Sequence, residues 1–258
     1  MKPTSATSGA TALPSGAEFL HLVADAENAC IALTASEIPA LGISVPACYQ
    51  SLPEVLSLLY AEASCSYGCA GGDHFWQRLV ARVVSHSLAA LRLAMMGYYD
   101  ESIALIRNIA ETTNLLFLFA ASPSEVARWR SGTEKERWQT FRPIEVRKRL
   151  KKLNLTPPID DAKYGLLCEV GVHVTPDVSP QAFNAHERAS LGASFIDTAL
   201  IATINELSTV VAESAGCISA LPLMGQRAMA LRLSAQILLN MIGGLDLNAA
   251  RKLSEHGA

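Results

Sequence analysis

A stripe of three polar side chains runs through the most apolar stretch of the chain. In "YYDESIALIRNIAETTNLLFLFAAS", residues 98–122, Arg107, Glu111 and Asn114 stand among isoleucines, leucines and phenylalanines. At about 100° per residue they fall within roughly 60° of one another, a narrow polar stripe on an otherwise apolar helix. A guanidinium and a carboxylate in such surroundings are costly unless each is paired and hydrogen-bonded. Arg107 precedes Glu111, the less favourable order for an i,i+4 pair, so local helix stabilisation explains them poorly. The chemistry open to them is anion recognition. Arg107 would hold a phosphate or stabilise developing negative charge, Glu111 would orient a partner, and Asn114 would add a binding contact. The alternative is a pair that only fixes helix packing or an oligomer interface.

A second group lies in "YGLLCEVGVHVTP", residues 164–176, where Tyr164, Glu169 and His173 sit among leucines and valines. Glu169 and His173 are four residues apart and share a face if the helix survives Gly171. A histidine at a helix end, near a carboxylate, suits proton transfer near neutral pH; the alternative is a capping or core histidine. Further along, "RPIEVRKRLKKL", residues 142–153, sets Arg142, Arg147, Lys148, Arg149, Lys151 and Lys152 around the apolar line Val146, Leu150 and Leu153. Such a helix can dock phosphates, with Arg147 and Arg149 as binding candidates, or can be a solvated face. Cys65, Cys69 and His74 in "CSYGCAGGDH" lack Cys-x-x-Cys spacing and a fourth ligand, so no metal or cofactor is expected.

Taken together, "LIRNIAETTNLLFLF", "SPSEVARW" and the later "YGLLCEVGVHVTP" resemble a bacterial family of helical proteins of unknown function. In that family an Arg-x-x-x-Glu helix precedes a Tyr…His-x-x-Pro segment, and the family is broadly similar to HEPN domains. The resemblance covers roughly residues 74–215. It implies a site of Arg107, Glu111 and His173 with Tyr164 beside them, and an action on RNA or a nucleotide as in toxins and phage-defence ribonucleases. The chain departs from the HEPN ribonuclease pattern, an Arg followed after four to six residues by a His. Arg82 and His86 have only three residues between them. The resemblance therefore carries the fold further than it carries RNA cleavage.

The elements that must position these groups read as helices. Of 258 residues, 50% are hydrophobic and 17% charged, a balance that excludes a wholly disordered chain. Alanine and leucine are abundant and aromatics sparse, which favours helices over strands. Residues 1–16 read as a disordered leader and 17–258 as a single helical domain. Helical periodicity appears over 17–34, over 52–64 with Pro53 in the first turn, and over 74–96 with Asp73 as cap. Asp100 is the expected cap of the next helix, and Ser122 begins a short one with Pro123 first. Helices over 143–153, 161–173, 187–215 and 222–242 follow, the last starting at Pro222 and stopped by Gly243 and Gly244. The expected architecture is all-α, a bundle built around a long antiparallel hairpin at about residues 74–121.

A net charge of −3 gives no global attraction to nucleic acid or membrane. Charges at Arg107 and Glu111 break the longest apolar run, so no membrane span is expected. Scattered cysteines without a secretion signal suit a cytoplasmic protein. The expected function is a homo-oligomeric, HEPN-like toxin or defence component acting on or binding RNA or a nucleotide. The alternative is a non-catalytic scaffold.

Overall fold

A capping box starts the first helix: the Glu18 backbone N–H donates to Ser15 Oγ, and the Ser15 N–H donates to the Glu18 carboxylate. Ser15 is thus the cap and Gly16 the first residue of this helix. The computed structural model describes residues 14–67, 71–173, 192–221 and 227–243. Among them run α1 (Gly16–Glu37), α2 (Ser44–Ala63), α3 (Phe75–Met95), α4 (Tyr99–Ala121), α5 (Pro123–Ser131), α6 (Glu134–Phe141), α7 (Pro143–Lys152), α8 (Asp161–Gly171), α9 (Asp197–Ile218) and α10 (Arg227–Met241), with no strand among the described residues. The fold is all-α.

The expected hairpin is present as α3 and α4, joined by Met96–Gly97–Tyr98. Gly97 has φ +82, and a Cβ there would meet the Ser194 carbonyl oxygen at 2.3 Å, so the turn admits only glycine. Ser102 Oγ donates to the Ala90 carbonyl and sets the register of the pair. α4 then packs against α3, α5, α7, α8 and α9. The hairpin shares the centre with α9, which buries sixteen of its 22 residues against twelve of 23 for α4. One apolar core runs from α2 to α10, and a smaller cluster of Leu118, Val146 and Leu150 lies under α7. Among the described residues, α4 is the one single helix long and apolar enough to cross a membrane, and 56% of its most apolar window is buried inside the protein.

Several boundaries differ from expectation for local reasons. α2 begins at Ser44, so Pro53 is interior rather than in the first turn. Asp73 does cap α3, accepting from the Phe75 N–H at 3.1 Å, although His74 occupies the N-cap position in the left-handed region. Asp100 is not the cap of α4; Tyr98 is, and Asp100 lies in the first turn. Ser122 does precede Pro123 at the start of α5, but its hydroxyl meets Ser124 rather than a backbone amide. A helix absent from the expectation, α6, opens with a capping box of Thr133 and Glu136. α9 spans Asp197–Ile218, so residues 192–196, expected in a helix over 187–215, are not helical, and the described part of α10 runs from Arg227 to Met241. The expected start at Pro222 and the stop at Gly244 lie outside the described residues.

α8 lies antiparallel to α4, and glycine permits the approach. A Cβ on Gly171 would stand 2.7 Å from the Ala104 backbone nitrogen and 2.9 Å from Ile103 Cγ2. Gly171→Ala should therefore push α8 from α4 and lower unfolding free energy by about 1–3 kcal/mol, measured by denaturant titration. A second test concerns Asp100, whose carboxyl burial raises to about 7, with Glu101 adding repulsion. With the folded pKa above the unfolded value, the protonated form's contribution is full below about pH 4 and is lost as pH rises towards 7. Stability should fall across that window, and Asp100→Asn should remove this part of the fall in unfolding curves taken from pH 5 to 8.

Candidate functional site

Tyr164, on the α4-facing side of α8, brings the stripe of α4 into one network. Its hydroxyl donates to Glu111 Oε1 at 2.6 Å and accepts from Arg107 Nη2 at 2.7 Å. Arg107 also lies 2.6 Å from Glu111 and donates from Nε to Cys168 Sγ at 3.1 Å. Arg107 and Glu111 keep about a quarter of their side-chain surface exposed, 24% and 25%. Burial works against the Arg107 charge, but Cys168, Glu111 and Tyr164 outweigh it, and its pKa rises above the ordinary value. Burial first, and then Glu111, raise the Tyr164 pKa, which keeps the phenol protonated and fixes it as the donor to Glu111.

Asn114 takes a different part. It donates from Nδ2 to the Ile159 carbonyl at 2.8 Å and accepts from the Ile159 N–H at 3.0 Å, while only 2% exposed. Both ends of its amide are thus used to hold the segment that leads into α8.

The basic helix α7 spends its charge inside the fold. Arg147 is buried, with its guanidinium 4.1 Å from the Tyr164 ring centroid and its Nε donating to Asp161. Lys151 also pairs with Asp161, Arg149 pairs with Glu125, and Arg142 and Lys148 pair with Glu145. Arg147 and Arg149, expected as phosphate contacts, are packing and pairing groups here.

His173 is not joined to this network by any side-chain hydrogen bond or ion pair among the described residues. It is exposed beyond the end of α8, and its backbone N–H donates to the Cys168 carbonyl at 2.9 Å. Because α8 ends at Gly171, Glu169 and His173 do not share a helical face. His86 lies level with Arg107 in the α3–α4 register, with a buried Nδ1 that has no hydrogen bond. Burial, then Arg82, lower its pKa and favour the neutral ring. No three His, Cys, Asp or Glu side chains among the described residues are grouped to hold a metal. Cys69, weighed as a ligand, lies outside those residues.

Comparisons with family models, curated proteins and solved structures found no match to this chain. The site must be read from its own geometry.

Glu111 forms part of the wall of a cavity of about 390 Å³, with Leu79, Arg82, Thr112, Trp129 and Phe141 among its other lining residues. Arg82 is exposed and makes no hydrogen bond or ion pair among the described residues. An adjoining cavity of about 470 Å³ shares Leu79 and Trp129 and adds Phe75, Arg78, Arg130 and Arg137. Arg78, Arg130, Arg137, Phe75 and Trp129 were not among the expected site residues. The signal was present in "WRSGTEKERWQTFR", residues 129–142, where aromatics alternate with arginines.

The Tyr164 bridge yields a direct test. Tyr164→Phe keeps the ring beside two guanidiniums and removes only the hydroxyl. It should cost about 1–3 kcal/mol in denaturant unfolding, because Arg107 and Glu111 each lose a partner in a partly dry site.

Proposed function

We propose that the chain is a HEPN-like helical protein that binds RNA or a nucleotide over Glu111 and Arg82, in a cytoplasmic toxin or defence setting and as a homo-oligomer. The observation carrying this reading is the cavity between α3, α4 and α7. Arg82, an unpaired cation, stands on the α3 side, and Glu111, held by two donors, stands on the α4 side. Trp129 and Phe141 add aromatic surface on which a base can stack, and the arginine supplies the phosphate contact. Glu111 offers an acceptor for a base amino group or a ribose hydroxyl. The HEPN-like resemblance rests on the motifs around Arg107, Glu111, Tyr164 and His173. Binding is better supported than cleavage, since a general acid or base must reach the reacting atoms.

Arg82→Ala should weaken the binding of a short single-stranded RNA about tenfold at low salt, read by fluorescence anisotropy. Arg82 is exposed, so the variant should fold as wild type does. Equal affinity in the two proteins, or no binding by wild type to RNA or nucleotides, would sink the reading. A growth assay on expression, with RNA integrity followed, tests the toxin setting.

The second reading is a non-catalytic scaffold. It is favoured by the mutual satisfaction of Arg107, Glu111 and Tyr164, which leaves the network complete without a ligand. On this reading Arg107→Ala lowers the melting temperature, and expression of the wild type leaves growth and RNA unchanged.

A further inference from the structure

The larger cavity, at the start of α3, has its own chemistry. Arg78, Arg130 and Arg137 line it with Phe75, Leu79 and Trp129. Arg78 is exposed and makes no hydrogen bond or ion pair among the described residues. Two of the guanidiniums lie against rings: Arg130 is 5.4 Å from the Phe75 centroid and Arg137 is 6.0 Å from that of Trp129. Stacking of this kind restrains the long side chains and leaves N–H edges for a planar or tetrahedral oxyanion. Arg137 also donates to the Gly132 carbonyl, which ties it to the α5–α6 turn.

The single acidic side chain in the lining is Asp73, and it already uses two of the features an anion would seek. One of its oxygens accepts from the Phe75 N–H at the head of α3, and the other pairs with Arg130. Its pKa is lowered by the Phe75 amide first, with Arg130 and Arg78 contributing further. Asp73 occupies the place of a bound anion. A ligand phosphate arriving beside Arg78 and Arg137 would compete with that carboxylate for Arg130.

We propose that this cavity is a second site, which takes a nucleoside phosphate, with its phosphate on Arg78, Arg130 and Arg137, its base on the apolar surface of Phe75, Leu79 and Trp129, and Asp73 as a built-in competitor. Three cations against one carboxylate leave the lining positive, which suits a phosphate ester. The rings beside them distinguish a nucleotide from bare phosphate. A volume near 470 Å³ falls in the range of small-molecule pockets. The proposal stands on this cavity and does not need RNA binding over Glu111.

The test measures binding of ADP, adenosine and inorganic phosphate to the full chain by calorimetry at low salt. The proteins are wild type, Arg78→Ala, Asp73→Asn and Glu111→Gln. ADP should bind wild type more tightly than either adenosine or phosphate does. Arg78→Ala should weaken ADP about tenfold or more, as expected for loss of one charge-assisted contact. Asp73→Asn keeps an acceptor for the Phe75 N–H and should tighten ADP several-fold by removing the competing charge. Glu111→Gln, outside this cavity, should leave the Arg78-dependent ADP binding in place. ADP that fails to bind, binds no better than adenosine, or is indifferent to Arg78 overturns the proposal. ADP binding lost in Glu111→Gln but kept in Arg78→Ala also overturns it, because the ligand then occupies the other cavity.

Discussion

The Tyr164 hydroxyl is the contact that lets a central helix keep its charges. α4 touches five other helices, so any uncompensated charge along it would weigh on the whole bundle. Arg107 and Glu111 alone make an ion pair in the less favourable order on their own helix. The phenol from α8 gives Glu111 a donor and Arg107 an acceptor at once. Two costly groups become one closed set only when α8 is docked. The same seam is held at its ends by Asn114 on Ile159 and by the close approach of Gly171 to Ala104. The polar stripe therefore encodes which helix lies beside α4 and in what register.

The fold also redistributes its positive charge. The sequence concentrates Lys and Arg on α7 and at its N-cap, yet Asp161, Glu125 and Glu145 engage five of these cations in ion pairs within the protein. Arg147 goes further and buries its guanidinium against Tyr164, so it adds a second ring contact to that of Arg107, whose own guanidinium is 5.4 Å from the ring centroid. On α3, Arg78 and Arg82 stand one turn apart, make no ion pair among the described residues, and line adjoining cavities. The helix richest in basic residues is therefore not the one that sets unpaired guanidiniums beside these cavities. A count of charges cannot show this, because pairing is decided by tertiary neighbours.

Much of the fold was legible because it rests on period and punctuation. The apolar pattern of α3 and α4 and the short turn at Gly97 are enough to expect an antiparallel hairpin. The joining of Arg107 and Glu111 with Tyr164 was legible too, though only as a resemblance between separated motifs. Cys168 was missed because a thiol among leucines gives no sign that an arginine will donate to it. The cavities were missed because they are assembled from α3, α4, α5, α6 and α7, with Trp129 meeting Phe75 and Phe119 only after folding. Local boundaries went astray where one side chain could act from a neighbouring position. Asp73 caps α3 from one residue upstream of the N-cap, and Asp100, a good cap by type, is displaced by Tyr98.

The position of His173 bears on what the network is for. Tyr164 and Cys168 are four residues apart, about 40° on the helix, and both face α4; Gly171 falls within about 20° of Tyr164 on the same side. Continuing α8 to residue 173 would bring it to about 180° from Tyr164, the far side of the helix. In fact the helix ends before it, and the His173 amide is used to close the last turn on Cys168. A longer helix would not turn the imidazole towards Glu111, and at the observed end the exposed ring makes no hydrogen bond to the network among the described residues. Proton transfer needs heavy atoms within about 3 Å, so it would require the last turn of α8 to open and the Gly171 contact to break. Stacking and ion pairing over Glu111 and Arg82 require no such change. A network already complete without its histidine is better suited to hold Glu111 still at the edge of a binding cavity than to move protons.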